Sequence, residues 1–140
     1  MSTPEATPYN KPLPDPTPAT QPFWDGLREH KLVLQRSKKT GKAIYYPRSV
    51  SPNGPKDTLD WVECTGRGTV YSFTIARRPT APQWAGDGDY AIAIVEIDEG
   101  ARLTANIVNC PPDAVRIGMR VKAVFLDVTP EVTLLQFEPE

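Results

Sequence analysis

Between Gly66 and Phe137 the chain passes through five strand-length segments punctuated by glycine, proline and acidic turns. No other feature of the sequence narrows the fold as far. In Gly68-Thr69-Val70-Tyr71-Ser72-Phe73-Thr74-Ile75, strict alternation places Tyr71, Phe73 and Ile75 on one face and Val70, Ser72 and Thr74 on the other. The run 90–97 is apolar on both faces, as expected of a strand enclosed in a barrel or sandwich. Asp98-Glu99-Gly100 supplies a hairpin turn, because glycine readily takes positive φ. Further strands are expected at 102–108, 120–128 and 132–137, with one helical turn in Pro111-Pro112-Asp113-Ala114-Val115 between the third and the fourth. Five strands with a short helical connector at that place form the layout of an OB barrel, and an SH3-like barrel or a small sandwich also fits the run lengths. The loop 79–89 carries Trp84 among Pro, Gly and Asp, is long for a hairpin, and sits where an OB barrel places its first binding loop.

Upstream of this domain, set at 63–140, the sequence divides into three shorter pieces. Residues 1–20 hold Pro4, Pro8, Pro12, Pro14, Pro16 and Pro18 among small and polar residues, too little apolar area to offset ordering entropy. They read as a flexible or extended arm, and an extended proline-rich arm is suited to draping over a partner. An N-terminal helix is placed at 21–34: Pro22 is a first-turn proline, Phe23 and Leu27 share a face, and Gly26 keeps the helix short. Lys31-Leu32-Val33-Leu34-Gln35-Arg36 already alternates like a strand, with a return strand at 44–46.

Residues 35–62 hold two tight turns, Ser37-Lys38-Lys39-Thr40-Gly41 and Ser51-Pro52-Asn53-Gly54-Pro55, spaced like the knuckles of a rubredoxin-like zinc ribbon. The four ligand places hold Ser37, Thr40, Ser51 and Gly54. Neutral hydroxyls are poor zinc ligands and glycine has no side chain, so zinc is expected to be absent from a degenerate ribbon. Packing by Leu34, Ile44, Tyr46, Leu59 and Trp61, with hydroxyl hydrogen bonds, is expected to take its place.

Six short segments in order resemble one known family: Pro22-Phe23-Trp24, Leu34-Gln35-Arg36, Tyr46-Pro47-Arg48, Leu59-Asp60-Trp61, Gly66-Arg67-Gly68-Thr69-Val70-Tyr71-Ser72 and Arg116-Ile117-Gly118-Met119. The chain from about 22 to 138 resembles the zinc-ribbon OB-fold proteins of domain-of-unknown-function family 35. That resemblance implies a mainly β protein, an OB barrel preceded by a helix and a ribbon. It also implies a non-catalytic subunit that completes or shields the acyl-CoA site of a partner: a thiolase-like enzyme, acyltransferase, aldolase or MaoC-like hydratase in fatty-acid, steroid or side-chain degradation. Family members usually carry four cysteines where this chain has Ser37, Thr40, Ser51 and Gly54, so no zinc role passes to these positions. A coenzyme A thioester is the shared ligand so implied, in a hetero-oligomer.

The residues themselves carry little sign of catalysis. His30 lies at the end of the helix without an acid or nucleophile near it in sequence, and reads as a solvated or C-capping side chain. Cys64 and Cys110 lack a nucleophile signature and read as inert reduced thiols. Asp87, Asp89, Asp98 and Glu99 fall in turns. Candidate acyl-CoA or partner-binding residues are Trp24, Arg77, Arg78 and Trp84: two aromatic anchors and two cations just before the long loop. Arg28, Lys31, Arg36, Lys38, Lys39, Lys42 and Arg48 gather around the ribbon, which fits a phosphate group, an acidic surface or a solvated face. A formal net charge of -1 over 140 residues lacks the basic excess of a phosphate-backbone binder. The rival reading, single-stranded nucleic-acid binding, rests on Tyr71 and Phe73 as stacking platforms on an OB face. No run is long and apolar enough to cross a bilayer, and a cytoplasmic location is expected.

Overall fold

The structure, a computed structural model, describes residues 9–79 and 81–140. Helix α1 spans Gln21–Arg28, with Thr20 at its N-cap and Pro22 in the first turn. Strand β1 begins at Leu32, so the unit expected at 21–34 is helical only through Arg28, and its last residues already belong to a sheet. Three strands make that sheet, β1 (Leu32–Ser37), β2 (Ala43–Ile44) and β3 (Leu59–Cys64), in the order β2-β1-β3 with antiparallel pairing. Five strands follow: β4 (Arg67–Ala76), β5 (Tyr90–Ile97), β6 (Arg102–Ile107), β7 (Arg120–Asp127) and β8 (Thr133–Pro139). They close in the order β4-β5-β6-β8-β7, with β7 returning to β4. The helical connector between the third and fourth barrel strands is the single 3-10 turn Pro112–Ala114. This is an OB-fold barrel preceded by one helix.

The barrel interior is filled by Val70, Ala91, Ala93, Val95, Ile97, Leu103, Val121 and Phe137, all nearly inaccessible. Alanines at 91 and 93 leave room for the large ring of Phe137 inside a small five-stranded barrel. The run 90–97 is therefore not enclosed on both faces: its even-numbered residues point outward, and Ile94 is exposed. A barrel strand has one inner face, so apolar residues on both faces of the run do not imply two buried faces. Alternation in β4 is also interrupted. The register shifts between Val70 and Ser72, and the extra residue, Tyr71, is exposed. Val70 and Phe73 both pack on the core, which strict alternation had assigned to opposite faces.

Strands β6 and β8 touch through one parallel pairing, Ile107 with Phe137, and diverge elsewhere. Helix α1 fills that seam. Phe23 and Leu27 are buried, and both line a crevice with Leu103 of β6 and Leu134 and Leu135 of β8. The core thus runs without a break from α1 through Leu32, Leu34, Ala43 and Cys64 of the ribbon into the barrel. Gly26 is needed for this approach, since a Cβ there would lie 2.7 Å from Val33 Cγ2.

His30 ties the helix end to β7, the strand next to β8 in the barrel. Its backbone N–H caps Leu27 C=O, its ring stacks on Phe125, and Nε2 lies 3.0 Å from both carboxylate oxygens of Asp127. Hydrogen bonds from Thr133 and then from His30 hold Asp127 below its ordinary carboxylate pKa, so the carboxylate accepts and the imidazole N–H donates. The side chain expected to be solvated or merely capping is a long-range tether.

The arm is placed as well, from Tyr9 onward; residues 1–8, with Pro4 and Pro8, lie outside the described residues. Lys11 pairs with Asp87 of the long loop at 2.7 Å, so the described part of the expected flexible arm lies against its own barrel.

At Gly68 the backbone of β4 lies close against β5. A Cβ there would sit 2.7 Å from Glu96 C=O and 3.0 Å from Ile97 Cα, where no side chain can yield. Gly68→Ala is expected to destabilise the protein by about 1–3 kcal/mol, whereas Gly86→Ala, with nothing within 4 Å, should stay within about 0.5 kcal/mol. Urea unfolding of the two variants checks this, and equal shifts would contradict the packing described.

Candidate functional site

Two of the four candidate residues meet along one feature, the seam between β6 and β8. Its first part is a crevice of 230 Å³ lined by Trp24, Leu27 and Tyr45 on one side and by Leu103, Ala105 and Leu134 on the other. A second part of 300 Å³ is walled by Trp84, Tyr90, Val108 and Leu126, with Tyr9 and Lys11 of the arm. Asn106, Leu134 and Gln136 line both parts, so they form the waist of a single groove. Trp24 stands at one end and Trp84 at the other. Trp24 is half-buried, stacks edge-on to Phe23, and donates its indole N–H to Tyr46 Oη at 3.1 Å. Trp84 closes the 3-10 turn Pro82–Trp84, which Pro82 starts and the N–H of Ala85 caps. At the waist, Asn106 Nδ2 donates to Ala91 C=O and thereby fixes the amide plane. Apolar walls with a few fixed polar groups are the usual make-up of a small-molecule site.

The two candidate arginines are not brought into this groove. Arg77 bridges Asp89 at 2.6 Å and Asp113 at 2.9 Å, pairs that raise its pKa further and lock the base of the 79–89 loop to the connector before β7. Arg78 is exposed beside it. Arg77 is thus a loop-positioning residue in the free chain. Tyr45, Asn106, Leu134 and Gln136 were not legible as site residues, because seam-facing positions are set by the divergence of β6 from β8.

The ribbon turns converge on a group that the sequence reading missed, the carboxylate of Asp57. Ser37 Oγ donates to Asp57 Oδ2 at 2.5 Å, Ser51 Oγ donates to the same oxygen, and the Lys39 backbone N–H donates to Oδ1 at 2.9 Å. Asn53 Nδ2 reaches Ser37 Oγ at 3.3 Å and Asp57 Oδ2 at 3.4 Å. The serine oxygens in turn accept from the N–H groups of Thr40 and Asn53. Both knuckles are therefore tied to one anion. Two of the four zinc-ligand places supply hydroxyls already committed to a carboxylate, Thr40 Oγ1 accepts from the N–H of Lys42, and Gly54 has no side chain. This donor set does not suit zinc. Among the described residues no three His, Cys, Asp or Glu side chains gather as a metal site.

Of the expected packing residues, Leu34 and Ile44 are buried. Tyr46 and Trp61, expected in that packing, are 38% and 37% exposed; Tyr46 instead packs edge-on against Phe23 and Tyr45. Buried Gln35 adds a second clamp: its amide accepts from the N–H of Arg48 and donates to Arg48 C=O.

The remaining candidates fall into structural roles. Burial, with Glu99 adding to it, pushes the Cys64 thiol up to about 12, which keeps it protonated and inert. The stacking platforms of the nucleic-acid reading are both occupied. Phe73 packs on the core, and Tyr71 is covered by the Arg102 guanidinium at 3.8 Å, itself paired with Glu96. No helix among the described residues is long and apolar enough to cross a membrane.

Residues 61–126 match the family model described as ChsH2, C-terminal OB-fold domain. A DUF35 domain-containing scaffold protein of Methanocaldococcus jannaschii is 34% identical over 105 residues, covering 73% of each chain. The chain belongs to the DUF35 family. A probable enoyl-CoA hydratase alpha subunit of Thermomonospora curvata is 36% identical over 118 residues, 84% of this chain but 36% of that protein. The DUF35 chain thus spans about a third of that longer relative. A solved structure described as an Ltp2-ChsH2(DUF35) aldolase is 33% identical with a TM-score of 0.78, covering 91% of this chain and 98% of that one.

The Asp57 hub makes a prediction with a definite sign. Its hydrogen bonds from Ser37 first, then Ser51, hold its pKa well below the ordinary range, so the stabilisation is fully present above the unfolded carboxylate value of about 4. It is lost as pH falls from there toward the folded value. Amide protection at Lys39, corrected for intrinsic exchange, should decline in that acid window. Asp57→Asn should start with lower protection at pH 7 and show no such window; unchanged protection in the variant would contradict the hub.

Proposed function

We propose that this DUF35 chain is a non-catalytic accessory subunit of an acyl-CoA-processing complex, whose seam groove forms one wall of a partner enzyme's acyl-CoA site. The observation that carries this reading is the groove itself, an apolar track from Trp24 to Trp84 with Asn106 and Gln136 at its waist. An acyl-pantetheine chain has the matching order of parts, methylene segments that favour leucine walls and amides that pair with side-chain amides. The groove holds no nucleophile with a base and an orienting group: Cys64 is buried away in the ribbon sheet, and His30 is bound to Asp127. Such a surface positions and shields a substrate, and the chemistry falls to a partner.

The relatives favour a partner of that kind. One is named as a hydratase subunit, another as a scaffold protein, and a solved neighbour as an aldolase containing a DUF35 chain. On this reading the partner is a thiolase-like enzyme, an aldolase included, in fatty-acid, steroid or side-chain degradation, with a MaoC-like hydratase as the variant partner. The loop 79–89, braced by Arg77 and Lys11, shields the open end of the groove, and α1 with the ribbon docks on the partner. The ribbon does this without zinc, since Asp57 holds its turns together.

Co-expression with the thiolase-like enzyme of the same genome tests the proposal. A stoichiometric complex on size exclusion, free of stoichiometric zinc on this chain, is expected, with partner turnover higher than for the partner alone. Leu134→Trp, which fills the waist, should preserve the complex and reduce kcat/KM for long acyl-CoA substrates by about tenfold. A persistent monomer without effect on partner turnover would overturn the accessory role.

A further inference from the structure

We infer that the ribbon docks through one cationic and aromatic face onto an acidic surface of the partner enzyme, an inference that rests on the accessory-subunit reading. The charge distribution is lopsided in a way that the overall value of -1 conceals. Residues 35–62 hold six cations, Arg36, Lys38, Lys39, Lys42, Arg48 and Lys56, against Asp57 and Asp60, whereas residues 63–140 hold seven cations against eleven carboxylates. Asp57 is engaged in the hub, with hydroxyl, amide and backbone donors meeting its charge. Among the described residues, Lys38 is the one ribbon cation in an ion pair, 3.8 Å from Asp60. The other five are exposed, with no carboxylate of the described residues within 4.0 Å.

These cations border two clefts that share one wall. Lys38, Lys39 and Lys56 line the first, of 700 Å³. The second, of 490 Å³, lies across Pro55, Asp57 and Thr58 and is lined by Arg48, Val50 and Trp61 with Pro22 of α1. Val50 is 65% exposed and Trp61 37%. An exposed tryptophan and arginine beside a protruding valine have the composition of an interface anchor, and a rim of exposed lysines steers and orients an acidic partner. The hub contributes directly: by tying both knuckles to one carboxylate, it holds Lys38, Lys39 and Lys56 around a single cleft.

A discrete acidic patch on a folded protein fits this face better than an extended polyanion. A nucleic acid or an anionic bilayer reaches beyond the 28 residues from 35 to 62 and meets the acid excess of the barrel. Phosphate groups also give Val50 nothing to contact, whereas a protein partner gives it an apolar neighbour.

Two arms test the inference and keep it distinct from the accessory role. In the first, poly-L-glutamate is titrated into the full chain at low salt and followed by ¹⁵N NMR. Shifts are expected at Lys38, Lys39, Lys56 and the Trp61 indole, and Lys38→Glu/Lys39→Glu/Lys56→Glu should abolish them without changing the melting temperature. In the second, the same variant, and separately Arg48→Glu/Val50→Ser, should weaken binding to the co-expressed thiolase-like enzyme by about tenfold and flatten its salt dependence. Equal binding by wild type and both variants overturns the docking face and leaves the accessory role standing. Poly-L-glutamate shifts that miss the ribbon, or tighter binding to phosphatidylserine vesicles or to an oligonucleotide, also overturn it. Ribbon shifts with no enzyme bound overturn the accessory role and, with it, the enzyme as the acidic partner.

Discussion

The insertion of Phe23 and Leu27 between β6 and β8 is the contact on which the rest of the structure depends. Two barrel strands joined by a single parallel pairing leave an open seam, and an open seam in a small barrel exposes apolar interior to water. The helix closes it with two fully buried side chains of large apolar area, each contributing on the order of 1.5–3 kcal/mol. Because α1 leads directly into β1, the same insertion sets where the ribbon stands relative to the barrel. His30, bound to Asp127 and stacked on Phe125, holds the second end of that joint. The groove then follows as the part of the seam that the helix does not fill.

The ribbon shows a different solution to a different constraint. Two tight turns hold few apolar side chains, so something must tie them together across polar space. In Asp57 a single carboxylate accepts from both turns, and the donors that surround it are hydroxyls, an amide and a backbone N–H. A carboxylate with that many donors stays ionised into acid, which couples the integrity of the turns to the charge of one group. With Asp57 so engaged, Lys39 and Lys56 have no carboxylate partner among the described residues, and Lys38 has only the 3.8 Å pair with Asp60.

Much of this was legible from the residues alone. Strand-length runs, the acidic hairpin before Gly100 and the proline-marked connector pointed to five strands in an OB-like layout, since each depends on local periodicity or turn chemistry, while an SH3-like barrel or a small sandwich fitted the same runs. What escaped was set by tertiary register. The bulge at Tyr71 reversed the facing of one strand because an inserted residue is invisible to period-two alternation. His30 looked solvated because its partner lies 97 residues away. Asp57 carried no motif, although a lone carboxylate in a tight turn, beside an Asn-Gly step and among six cations, was a signal that a hub-seeking reading would have weighed. Trp24 and Trp84, legible as aromatic anchors, lie at the two ends of one groove along the seam, whereas Arg77 is held by Asp89 and Asp113.

The central claim, that this chain walls a partner's acyl-CoA site, is tested most directly by photolabelling. The complex with the thiolase-like enzyme would be loaded with an acyl-CoA carrying a diazirine near the end of its acyl chain, irradiated, and mapped by peptide mass spectrometry. Labels on Trp24, Leu134 or Trp84 of this chain, competed away by unlabelled acyl-CoA, are the predicted result. Labels confined to the partner, with none in the groove, would contradict the account.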